Sequence, residues 1–137
     1  MKVSLKVEYA CRVLTQLARH NGTGEWPHIE DLATKESVPA NYLVQILNDL
    51  RNSGLIQSRR GKQGGYTLAH ENDQISLYDI ICAMDGGLLE FNTDAKGESG
   101  DQVVNVWKNL ATAFERETKG ITLQDILSTT SQDMYFI

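Results

Sequence analysis

Asn41, Gln45, Asn48 and Asn52 set four side-chain amides three or four residues apart within NYLVQILNDLRN. On a helix turning about 100° per residue they fall on one face. A primary amide donates and accepts at once, so it can pair bidentately with adenine in the DNA major groove, for about 1–3 kcal/mol of discrimination. Val44 flanks the stripe with a methyl surface suited to thymine, and Arg51 flanks it with a charge suited to phosphate. Immediately downstream, RRGKQGG gathers Arg59, Arg60 and Lys62 among glycines. An arginine on such a tip suits a narrow minor groove, where the negative potential is strongest. A lone basic turn or a few surface amides are usually only solvated. The succession of the two, with no carboxylate counted in the stripe, points to DNA.

These side chains need a scaffold. Residues 4–20 carry Ala10, Val13, Leu14 and Leu17 at helical spacing, and Asn21-Gly22 closes them. Trp26 reads as an apolar plug in the following loop. Ile29 to Glu36 is a short second helix, Ser37-Val38-Pro39 a turn, and Ala40 to Asn52 the amide-bearing helix, ending before Gly54. Its Leu43, Ile46, Leu47 and Leu50 lie opposite the amides and dock it. Leu55–Ser58 and Gly65–Ala69 read as two strands about the basic turn. Ser76-Leu77-Tyr78-Asp79 and Thr122-Leu123-Gln124-Asp125 both fit capping boxes and start further helices. Between them lie a Gly-rich loop, Gly86 to Gly100, and a long helix, Asp101 to Lys119. The expected fold is mostly α with a small β-hairpin wing: a winged helix-turn-helix plus a long C-terminal dimerisation helix. The expected divisions are 1–85 for DNA binding, 86–100 for the loop, and 101–137 for the dimerisation helix and a short last helix.

Composition excludes several classes. The 137 residues carry a formal charge of −5, yet the basic groups are unevenly placed. Residues 51–70 hold four basic and no acidic side chains, whereas residues 71–137 hold four basic and twelve acidic. Phosphate attraction depends on the facing surface, because salt screens charges within about 10 Å. No apolar run is long enough for a membrane span and the N-terminus shows no signal peptide, so a cytoplasmic protein is expected. His20, His28 and His70 sit in different predicted termini and loops, so no metal site is expected. No base, nucleophile or nucleotide-loop motif appears, so an enzyme is not expected. Cys11 reads as a small buried hydrophobe. Cys82 lies off the Leu77/Ile80/Ile81/Met84 face, near Tyr78, and is a candidate redox-responsive thiol, with a structural role favoured.

From SLKVEYACRVL through IEDLATKESVPANYLVQILNDLRNSGLI, RRGKQGGYTLA and ISLYDIICAMDG to VWKNLATAF and ITLQDIL, nearly the whole chain resembles the Rrf2 family of bacterial winged-helix regulators. The resemblance implies a homodimer joined through the long helix and reading a pseudo-palindrome in double-stranded DNA. It implies that Asn41, Val44 and Gln45 face bases and that Arg60 enters the minor groove. Tyr42, Asn48, Arg51, Asn52, Arg59, Lys62 and Gln63 complete the expected DNA-contacting set. Val44 departs from the acidic residue of an iron–sulfur member, so that member's operator preference is not carried over. Cluster-binding members place three cysteines in the loop; GGLLEFNTDAKGESGDQVVNVW has none, so no cofactor is expected. Glu8, where some members supply a carboxylate ligand, is then an ordinary polar residue. Val103, Trp107, Leu110 and Phe114 form the expected dimer seam. A repressor is expected. The alternatives are control by a protein partner, such as a metabolic enzyme, or by a small-molecule effector under the loop.

Overall fold

The computed structural model describes residues 2–87 and 89–129. In chain order the elements are α1 (Leu5–His20), α2 (Ile29–Glu36), α3 (Ala40–Asn52), β1 (Ile56–Arg59), β2 (Gly65–Leu68), α4 (Leu77–Asp85), α5 (Gly100–Lys119) and α6 (Leu123–Ser128). A 3-10 turn, Asn72–Gln74, links β2 to α4.

Helix α1 is the axle. Ser4 caps it, its hydroxyl accepting from the Val7 N–H at 3.2 Å. Val7, Ala10, Val13, Leu14, Leu17 and Ala18 are buried, and α2, α3, α4, α6 and β2 all pack against it. Helix α2 ends where Ser37 turns left-handed (φ 53°), Val38 drops into the core, and Pro39 leads α3 away. Along α3 the buried set is Leu43, Ile46, Leu47 and Leu50, as its period requires. Each buried leucine or isoleucine contributes roughly 1.5–3 kcal/mol. The apolar side alone therefore seats the helix, and the amide side has no packing duty.

The exit from α3 sets the wing. Leu55 N–H donates to Leu50 O and Gly54 N–H to Arg51 O, both at 3.0 Å, with Gly54 at φ 79°. This is the double hydrogen bond of a Schellman cap. It consumes the Leu55 amide, so β1 starts at Ile56 rather than Leu55 and runs on through Arg59. The hairpin is antiparallel, pairing Ile56 with Leu68, Gln57 with Thr67, Ser58 with Tyr66 and Arg59 with Gly65. Ile56 and Leu68 are buried and root the wing in the core.

Both expected capping boxes form, Ser76 with Asp79 and Thr122 with Asp125. They also pair with each other. Leu77 N–H donates to Ile121 O at 2.8 Å and Leu123 N–H to Ile75 O at 3.0 Å. This returns α6 to the start of α4 and puts the fully buried Leu123 in the same core as α1 and α3. Among the described residues, no helix is long and apolar enough to cross a membrane.

Candidate nucleic-acid interface

The amide face of α3 is bounded on both sides by ties to neighbouring elements. Asn41, Gln45 and Asn52 are exposed and Asn48 is half-buried. On one flank, Tyr42 meets Tyr9 of α1 edge-on at 6.2 Å, and Asp49 pairs with Lys6 of α1 at 2.6 Å. On the other, Arg51 reaches β1, its Nη1 donating to Ser58 Oγ at 3.2 Å. Asp49 thus lies at the border of the stripe, a carboxylate that the sequence reading did not count there. The hydrogen bond from Lys6 is the largest cause holding its carboxyl below the usual range; a bond from Gln45 adds to this and burial opposes it. Lys6 and Tyr9 gave no signal in the sequence, because the crossing of α1 over α3 is a tertiary fact.

The wing presents its charges unequally. Arg59, expected on the turn, is instead the last residue of β1, with its guanidinium 4.2 Å over the Trp26 ring. Its Nε donates to the backbone carbonyl of Gln63 and so closes the turn. Trp26, expected as an apolar plug, is instead a half-buried seat for Arg59 outside the hydrophobic core. Tyr66 N–H donates to Pro27 O at 2.9 Å, which fastens β2 to the same loop. Arg60, Lys62 and Gln63 are exposed at the tip. Among the described residues, Arg60 and Lys62 make no hydrogen bond or ion pair through their side chains. A cleft of about 400 Å³ between the start of α2, the end of α3 and the wing is lined by Arg51, Ser58, Arg59 and Arg60, with Glu30 opposite.

Helix α5 carries two adjacent stripes where the sequence suggested one. Val104 and Thr118 are buried, the Thr118 hydroxyl donating to Phe114 O at 2.9 Å. The neighbouring stripe is open: Val103 is 52% exposed, Val106 64%, Trp107 38%, Leu110 45% and Phe114 41%. Val106 was not among the expected seam residues. Leu110 and Phe114 also line an apolar cavity of about 460 Å³ with Val3, Val7, Ile81 and Leu89.

The cysteines differ in setting. Burial, with Glu8 adding a smaller effect, pushes the Cys11 thiol up to about 11. Glu8 itself pairs with Arg12 at 3.2 Å. Cys82 is half-buried, and its nearness is the largest cause raising the Tyr78 pKa. Lys119 lies 4.6 Å over the Tyr78 ring, so the end of α5 borders this thiol. At pH 8 a thiol of pKa 11 is about one-thousandth thiolate, whereas a free one is about a quarter. In a Cys82→Ser variant, the remaining thiol is expected to react with a disulfide reagent on the order of a hundredfold more slowly in the native state than in denaturant. Equal rates would mean Cys11 is not buried.

A family model described as Rrf2, iron-dependent transcriptional regulator, matches residues 3–129. The HTH-type transcriptional regulator CymR of Bacillus subtilis is 33% identical over 135 residues, covering 95% of this chain and 92% of that protein. The solved structure of CymR (YrzC), the global cysteine regulator of B. subtilis, matches with a TM-score of 0.80 at 30% identity, covering 96% of this chain and 99% of that one. That of T. potens IscR matches with a TM-score of 0.76 at 32% identity, covering 98% and 96%. These relatives are transcriptional regulators, not enzymes. The amide-faced helix and its basic wing accordingly sit in a winged-helix DNA-binding fold, and the chain belongs to the Rrf2 family of helix-turn-helix transcriptional regulators.

Proposed function

We propose that this chain is a cytoplasmic, homodimeric repressor that reads a pseudo-palindromic operator without an iron–sulfur cluster. The observation that carries the reading is the amide face of α3, held by four buried aliphatic residues beside a wing whose Arg60 and Lys62 are unpaired among the described residues. Asn41, Val44, Gln45 and Asn48 read base edges in the major groove. Arg51 and Lys62 hold phosphates, with Tyr42, Asn52 and Gln63 at the margins, while Arg59, expected among the phosphate contacts, braces the wing on Trp26 instead. Arg60 probes the minor groove.

Iron is implied by the family description, and the residues here do not suit a cluster. The chain has two cysteines, Cys11 in α1 and Cys82 in α4, and none in the loop before α5. Among the described residues, no three His, Cys, Asp or Glu side chains converge as metal ligands.

The open stripe of α5 supports the dimer, since Trp and Phe are common anchors of such seams. The apolar cavity extends that face toward the start of α1. Its wall includes Leu89 and Glu90 of the Gly86–Gly100 loop, which favours a second reading in which a small effector under the loop controls the seam. Effector-dependent thermal shifts of the purified protein test that reading.

The primary test is selection of bound sequences from random DNA, with a two-fold symmetric motif as the expected result. On the selected operator, Arg60→Ala is expected to weaken binding about tenfold and to flatten the preference for A·T pairs at one flanking position of each half-site. Unchanged affinity in gel-shift titrations overturns the minor-groove assignment of Arg60. Failure to enrich any sequence overturns the proposed function itself.

A further inference from the structure

Two of the four amides of α3 are held by neighbouring side chains. Gln45 Nε2 donates to Asp49 Oδ1 at 3.0 Å, and Asn48 Oδ1 accepts from Arg51 Nη2 at 3.0 Å. A carboxylate has no proton to donate and a guanidinium has no lone pair to offer, so the chemistry of each partner dictates which end of the amide it holds. Asp49 takes the nitrogen end of Gln45. Arg51 takes the oxygen end of Asn48. We infer that Asp49 is a specificity-determining positioning residue, fixing Gln45 so that its oxygen faces the bases, while Arg51 fixes Asn48 in the opposite sense.

The inference rests on the reading of α3 as the base-reading helix and deepens it. A free amide pairs bidentately with adenine but can also turn to suit other bases, so a partner that holds one orientation narrows its choice further. Held by Asp49, Gln45 offers an acceptor and one remaining N–H. That pattern fits adenine, whose N6 donates and whose N7 accepts, and its acceptor also suits the N4 of cytosine. Flipping would set the amide oxygen against a carboxylate. Held by Arg51, Asn48 offers donors, which suit N7 and O6 of guanine or O4 of thymine and find no acceptor on cytosine. Neighbouring positions of the stripe thus carry opposite polarity although both are amides.

Lys6 explains how a carboxylate is tolerated beside DNA. Its ammonium lies 2.6 Å from Asp49 Oδ2, leaving Oδ1 to receive Gln45. The same contact is the largest cause that lowers the Asp49 carboxyl pKa, although the acceptor role itself needs only the ordinary carboxylate of neutral pH. Phosphates approaching α3 therefore meet a neutral pair at this border.

The test compares wild type, Asp49→Ala, Gln45→Ala, the double variant and Lys6→Ala, each checked for a native thermal transition. Each is titrated on the selected operator, on every single-base variant of one half-site, and on unrelated DNA. Gln45→Ala is expected to flatten one position. Asp49→Ala is expected to reduce the preference for adenine or cytosine over guanine or thymine at that same position by about tenfold. It should leave the other positions unchanged and bind unrelated DNA more tightly, because a negative charge is gone. The double variant should be no flatter there than Gln45→Ala. Lys6→Ala should weaken all sequences alike while keeping the preference. If Asp49→Ala retains the full preference at the position that Gln45→Ala flattens, the positioning role is overturned and base reading by Gln45 stands. If Gln45→Ala flattens no position, both are overturned.

Discussion

Leu110→Asp is expected to leave a folded chain that sediments as a monomer and binds a selected two-half-site operator at least about a hundredfold more weakly. Leu110 is 45% exposed on the open stripe of α5, whereas the inward side of that helix is carried by Val104 and Thr118. The fold therefore loses roughly 1–2 kcal/mol, from the lower helix propensity of aspartate and from the half-buried apolar surface that Leu110 shares with Val7 and Ile81. The proposed seam loses much more. An isologous interface receives every substitution twice, and each copy would bury an unpaired carboxylate among Trp107, Phe114 and their partners, at a cost of several kcal/mol. Without the dimer, the two recognition helices no longer share one complex, and the bivalent advantage of about 10²–10⁴ disappears. Sedimentation velocity and gel shifts on one and two half-sites check this together. Wild type should prefer two half-sites strongly, and the variant should barely distinguish them. A variant that sediments and binds as wild type does would refute the seam.

Gly65→Ala tests the seat of the wing. Gly65 sits at φ +134°, and a Cβ there would fall 2.1 Å from Trp26 O and 2.6 Å from Pro27 O. Those atoms are backbone, and Tyr66 N–H is bonded to that same Pro27 carbonyl, so neither side yields easily. Strain at such a φ costs about 1–3 kcal/mol and the overlap a similar amount. At a few degrees per kcal/mol, Tm should fall by roughly 10 °C. Operator binding should weaken even where the variant is still folded, because the cheapest relief swings the wing, and Arg60 with it, away from the Trp26 loop. Gly61→Ala is the control. Its φ is +97° with no atom within 4 Å of an added Cβ, so only the backbone strain applies and the drop should be clearly smaller. Equal drops would show that the close approach to Trp26 does not hold the wing.

How much was legible follows from the range of each interaction. The leucine and amide faces of α3, both capping boxes and the hairpin depend on residues a few positions apart, and each formed as expected. The start of β1 moved by one residue because Leu55 N–H was already bound to Leu50 O, a competition between cap and strand that patterns do not resolve. Arg59 looked like Arg60 and Lys62 in the sequence. Its stacking on Trp26 separates a residue that holds the wing from those left unpaired at its tip. On α5 one apolar period served two surfaces, and only the tertiary structure showed that Val104 is covered while Val106 stays open. Leu123 was placed on a helix correctly, but its return to the core beneath α1 was not visible.

Local sequence by itself determined which helices form, which side of α3 is sacrificed to the core, where the positive charge gathers, and that the loop before α5 holds no thiolates. Periodicity, capping and composition are properties of neighbours along the chain, so they can be read without coordinates. Tertiary structure decided which charges are already spent and which amide ends are already bound. Lys6 neutralises Asp49, Asp49 holds Gln45, Trp26 holds Arg59, and α6 locks to α4. Ionic and hydrogen-bonding groups act over a few ångströms. Apart from the one-turn Gln45–Asp49 contact, these partners lie far apart in the chain and meet only once the leucine core has packed the helices together.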